Sequence, residues 1–486
     1  MNALTIARPV AGNPRRGVAP AGVVMEWAID LLPGLGLAAL AVAMAGAGGG
    51  GAARLAYPLL SLVIAGGLLV TRRAVAYLSF VMWLFVLTPG VRRYVDLQVG
   101  FEQVNTIMLA PWLASALALG PALLCMAMAR GAARGPLAGG ALAVILAATY
   151  GLVIATLEGR AVSAGFDWLR WVVPPALAVQ VVAWLPAHPD LPRRVLRGLC
   201  IAAALSAVYG VYQFVTAPPW DGFWMVNSKM ESIGVPEPFA VRVFSTLNSP
   251  GSYAVFLVVA LLVLLARPGL LGLLGTGLAA MALALTLVRS AWAVAAIGVL
   301  YIVLRGGVAA HGRLAMAVGA AALALPVALA VPEVGKLLED RFLSITRLSG
   351  DASLADRSSA YSDLAENLGE TPFGEGIGIS GSYQSFVDGG RPRIIDGMPL
   401  EVYYALGIPA GTLYFLGAVG CLLPALRTGL RAGGADRGVL AATAATLACV
   451  PMAMSGSPLI GESGVFFWFM IALCHAAPVR TGRRVS

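Results

Sequence analysis

Charged side chains make up only 12% of this 486-residue chain against 59% hydrophobic ones, a balance that excludes a soluble globular protein. Histidine is nearly absent: there are three, His188, His311 and His475. The five cysteines all fall inside apolar runs, without metal-ligand spacing, and are read as small buried hydrophobes. No internal repeat is found. Long hydrophilic stretches are missing too, with one exception between about Glu333 and Gly397.

What the chain has instead is apolar runs close to the roughly 20 residues that cross a hydrocarbon core of about 30 Å. Fourteen can be marked, from 28–47 through 313–332 to 397–425, 437–456 and 462–478. The expected fold is an all-α polytopic membrane protein. It has about 12–14 transmembrane helices and one large periplasmic loop containing short amphipathic helices. Residues 1–26 form a cytoplasmic tail, with a cleaved signal peptide as the rival reading. Residues 27–332 are a membrane bundle of about 11 spans, 333–396 the loop, 397–478 about three further spans, and 479–486 a second tail.

Charge orients the chain. Taking the tail and every second connection, one side holds 19 of the 33 Lys+Arg and 4 of the 24 Asp+Glu, a net +15 against −6 opposite. The positive-inside rule puts that side in the cytoplasm with both termini, and the 333–396 loop outside. All three histidines then lie at or near the cytoplasmic face, so a histidine base on the outer side is unavailable.

The loop carries its own helical pattern. From a cap at Asp351 or Ser353, one face holds Leu354, Ser358, Tyr361, Leu364, Ala365 and Leu368, with Asp356, Asp363, Glu366 and Glu370 opposite. Arg357 sits on the apolar face, where it either snorkels from a core edge or faces a cavity that binds an anion. Arg341 falls inside the apolar stripe of a shorter stretch, 334–348. Gly374–Gly378 resembles a phosphate loop only superficially and is expected as a turn over the bilayer.

Other candidates lie at outer span ends: Arg242, Arg289, Arg92-Arg93 and Arg170. They are either interfacial anchors or bidentate ligands for phosphate oxygens. Asp396 and Glu401 stand where the loop re-enters the membrane, and an ionisable group there suggests function. For Asp396, a turn or capping residue is the competing reading. The span interiors hold almost no charge besides Asp30 and Glu401, which argues against a transport path.

Six short patterns occur in order: LTPGVRR (87–93), RVFSTLNSPGSYA (242–254), LTLVRSAW (285–292), DRSSAY (356–361), PFGEGIG (372–378) and DGMPLEVYYALGIPAG (396–411). Together they resemble the bacterial O-antigen polymerase and ligase superfamily over roughly 85–425. The resemblance implies a metal-independent enzyme of the bacterial inner membrane that needs no cofactor. It would take glycans from a polyprenyl diphosphate carrier, among membrane lipids and other polysaccharide assembly proteins, with no nucleic acid partner. By the same resemblance Arg242, Arg289, Arg357 and Arg341 bind the diphosphate, and Asp396, with Glu401 behind it, accepts the acceptor's proton. Ligases of the superfamily carry a histidine where this chain has Asp396, so a polymerase of exopolysaccharide or O-antigen repeat units is expected. Ligation to another acceptor and flipping of lipid-linked oligosaccharides are the alternatives.

Overall fold

A backbone in hydrocarbon must satisfy its N–H and C=O groups internally, and these apolar runs do so as helices. The computed structural model describes residues 20–128, 135–307, 310–316, 352–379, 397–432, 434 and 436–475. The helices are α1 (Pro20–Met44), α2 (Gly50–Val70), α3 (Ala74–Val99), α4 (Ala110–Ala116), α5 (Leu119–Met128), α6 (Pro136–Leu157), α7 (Ala161–Trp184) and α8 (Leu191–Thr216). They continue as α9 (Pro219–Ser228), α10 (Pro250–Ala266), α11 (Leu270–Leu285), α12 (Arg289–Arg305), α13 (Ala352–Glu370), α14 (Met398–Ala432), α15 (Arg437–Met452) and α16 (Gly461–His475). Among the described residues there is no β-strand.

Among the described residues, six helical stretches are long and apolar enough to cross a membrane, and three shorter apolar helices accompany them. Their outer surface is apolar as well: Leu32, Leu59, Val63 and Val70 of α1 and α2 are exposed, as lipid-facing positions are. The centre is α10, buried at every residue from Tyr253 to Ala266. It packs against α8, α11, α12, α15 and α16. A helix that is apolar all round belongs in such a place.

The helix expected from Asp351 is α13, whereas Arg341 and Asp396 lie outside the described residues. Two expectations are corrected. The run expected to end at 90 continues helically to Val99, so Arg92 and Arg93 are inside α3 and buried. Together with Arg54, Asp96, Asp167 and Asp221 they put more charge into the helices than the hydropathy of the runs suggests.

The second correction concerns the glycine run, which is more than a turn: it docks between α6 and α14. Helix α14 is broken at Gly407, φ +65°. The carbonyls of Tyr404 and Ala405 accept instead from the N–H groups of Glu375 (2.9 Å) and Gly376 (2.8 Å). Ile408 N–H donates to Pro372 C=O at 2.8 Å, and Ile377 N–H to Gly151 C=O at 3.2 Å. The Tyr404 and Ala405 carbonyls and the Ile408 N–H, freed by the break, thus keep partners, as irregular chain within a membrane bundle requires. A Cβ on Gly376, φ +80°, would lie 2.6 Å from Ala155 N, so only glycine permits this approach.

Candidate functional site

At one end of the bundle, two hubs of buried charge fix an irregular segment. Around Asp96, Arg54 donates at 2.8 Å, Arg92 at 3.2 Å and Asn105 at 2.7 Å. Around Asp221, Arg93 donates at 2.7 Å, Tyr209 at 2.8 Å and Gln213 at 2.6 Å. Arg93 also donates to the carbonyls of Leu247 (2.5 Å) and Ser245, and Gln213 accepts from the N–H groups of Phe244 and Ser245. The result is a chain held from Phe244 to Leu247, with Ser245 at φ +51°, just before α10 begins.

That segment presents Asn248 and Ser249 to two adjoining cavities. One, of about 360 Å³, is lined by Arg92, Asn105, Phe166 and Asn248. The other, of about 210 Å³, is lined by Arg170, Asn248, Ser249, Ser252 and Glu462. Asn248 and Met108 line both. Arg170 is oriented by Asp167, 2.6 Å away and three residues back on α7. Asp167 accepts in addition from Trp171 (3.2 Å) and from Gly378 N–H (2.9 Å), which ties the glycine segment to the same place. Glu462, in the first turn of α16, accepts from Ser252 at 3.0 Å. Gly461 lets Arg170 approach, since a Cβ there would sit 3.2 Å from the guanidinium.

The structure brings Arg242 and Arg289 to one turn. The Arg242 guanidinium donates to the carbonyls of Ser232 (2.9 Å), Thr286 (3.3 Å) and Leu287 (3.4 Å), and Arg289 opens α12 two residues later. Neither lines the two cavities. Glu401 is buried and accepts from Ser457 Oγ, so it is tied to the loop between α15 and α16. Arg357 lies on α13. Sequence reasoning gave Arg92 and Arg170 as span-end arginines, either anchors or phosphate ligands, and passed over Asp167, Asp221 and Glu462. The Asp167/Arg170 spacing on one helix face was the available signal. Among the described residues, no three His, Cys, Asp or Glu side chains gather as metal ligands.

The arrangement offers two arginines, the amide or hydroxyl side chains of Asn105, Asn248, Ser249 and Ser252, and a carboxylate around two adjoining cavities. Such a set can hold an anion and place a base beside it. Neither a protein-family model nor a curated protein matches the chain.

Proposed function

We propose that this chain lengthens a glycan by transferring lipid-linked repeat units from a polyprenyl diphosphate at the outer surface of a bacterial inner membrane. The observation that carries the reading is the placement of Arg92, Arg170 and Glu462 around the adjoining cavities at one end of an apolar bundle. Arg242, Arg289, Arg357 and Arg341 remain the arginines that the sequence resemblance assigns to the diphosphate.

In the reaction, an acceptor hydroxyl gives its proton to a carboxylate and its oxygen bonds to the anomeric carbon. The bond from that carbon to the diphosphate oxygen breaks, and the diphosphate leaves with the electron pair. Fixed guanidinium groups stabilise that charge, and one such donor is worth about 10²–10³ in rate. A positioned carboxylate adds about 10²–10⁴. Asp396, Glu401 and Glu462 are the candidate bases. Of the two that lie among the described residues, Glu462 lines a cavity together with an arginine.

Transport is the second reading, favoured by the break in α14, since transporters use interrupted helices around their sites. Here, though, the exposed backbone groups of the break are taken by Glu375, Gly376 and Pro372. The deciding experiment replaces Arg170 with Ala, confirms membrane insertion and examines polyprenyl-linked glycans in cells. Single repeat units accumulating on the outer leaflet support polymerisation. Units held on the inner leaflet indicate transport, and long chains left on the carrier indicate ligation.

A further inference from the structure

A cleft of about 890 Å³ opens at the other end of α10 from the site above. The 17-residue α10 carries the two ends about 25 Å apart. It stops at Ala266, and the space beyond is walled by the starts of α8 and α15, with Val263 and Ala266 as its floor. Arg193, Arg267 and Arg437 line it. Asp190 and Asp436 line it too, so the lining holds three guanidinium groups against two carboxylates. Asp190 accepts from Arg194 at 3.2 Å, and Asp436 caps α15 through Gly438 N–H (2.8 Å) and Val439 N–H (3.2 Å).

Among the described residues, no carboxylate forms an ion pair with Arg193, Arg267 or Arg437. Further positive charge stands behind them: Arg197 acts electrostatically on Arg267, and Arg313 on Arg437. Like charges gathered in one cleft repel, and an anion between them removes the repulsion. The two helix N-termini add to the positive field, and the arginine fork matches phosphate oxygens. The apolar floor suits the uncharged part of a lipid. We propose that this cleft binds the phosphate of an anionic phospholipid headgroup. The inference is independent of the glycan-transfer reading.

The test is native mass spectrometry of the purified, detergent-solubilised chain with phosphatidylglycerol, phosphatidylcholine or inorganic phosphate. Arg193→Gln/Arg437→Gln alters two exposed positions, so folding survives, and Arg267→Gln alone serves as a second variant. Phosphatidylglycerol should bind the wild type in preference to phosphatidylcholine. Each arginine removed should cost roughly five-fold, and the double variant roughly 25-fold. Arg72→Gln/Arg73→Gln, exposed at the same basic end but outside the cleft, should bind as wild type. Equal loss in that control would mean a general positive surface, and equal retention of phosphatidylcholine would mean no anion site. Displacement of the lipid by inorganic phosphate would mean a soluble anion. Each of these three results overturns the proposal.

Discussion

Arg93 and Asp221 meet at 2.7 Å across 128 residues of chain, both fully buried, and the pair holds the approach to α10. The same guanidinium donates to Leu247 and Ser245 and lies 4.9 Å from the Phe244 ring centroid. One ionic contact thus joins α3, α9 and the segment that carries Asn248 and Ser249. A buried charge satisfied this completely is a structural part, and it differs from Arg92 on the next position, which lines a cavity.

Arg93→Ala should therefore destabilise the protein by about 3–5 kcal/mol, because it leaves the Asp221 carboxylate buried without its cation. The half-exposed Arg160–Glu158 pair is the contrast, worth at most about 1 kcal/mol. Thermal unfolding of the purified variants in detergent checks this. The double variant Arg93→Ala/Asp221→Ala should lose less than the two single losses added. Strict additivity would mean that the two charges do not depend on each other.

The glycine segment gives a prediction of opposite signs. Gly376→Ala forces a side chain into left-handed backbone, at about 1–2 kcal/mol, and into the backbone of Ala155. Gly139→Ala lies on the exposed side of α6 with nothing within 4 Å, and gains about 1 kcal/mol of helix propensity. Unfolding midpoints should move down for the first and up or not at all for the second. A Gly376→Ala protein as stable as wild type would mean that the segment does not dock into the break at Gly407.

The positions of the helices were legible in the sequence because a span is a local property of about 20 residues. The runs at 136–156, 249–266 and 437–456 became α6, α10 and α15 with small shifts. The contents of the site were not legible, because they depend on pairs remote in sequence. Nothing near Arg93 announces Asp221, and nothing in Gly374–Gly378 announces the broken helix 30 residues on. Glu462 looked like the first residue of an apolar span, and its meaning comes from Ser252, which donates to it from α10, and from Arg170 of α7, which lines the same cavity.

Arg242 acts by geometry, which lysine cannot copy. Its fork spans carbonyls of two separate segments, Ser232 on one side and Thr286 and Leu287 on the other. Arg242→Lys keeps the charge but has a single ammonium centre. It should lose nearly as much stability as Arg242→Ala, about 1–3 kcal/mol for carbonyls left without donors. Full rescue by lysine, in stability and in glycan lengthening, would show instead that the charge matters at this position and the turn does not.

Arg170 and Glu462 separate binding from proton transfer. If Arg170 meets the diphosphate, Arg170→Ala lowers the rate of glycan lengthening about 10²–10³-fold at unchanged membrane abundance. Arg170→Lys should fall between, since it keeps the charge and loses the bidentate fork. Asp167→Asn should give a smaller loss than Arg170→Ala, because the arginine remains but its orienting carboxylate is gone. Glu462→Gln preserves the size of the side chain and an acceptor for Ser252 while removing the base. With Glu462 as base, it cuts the chemical step by about 10²–10⁴-fold and leaves donor binding intact. Single-turnover assays on reconstituted protein with purified lipid-linked repeat units distinguish the two effects. Loss of donor binding in Arg170→Ala and loss of rate alone in Glu462→Gln is the expected pattern. Wild-type turnover in both variants would remove the cavity from the reaction and return the search to Arg289 and the residues around Asp396.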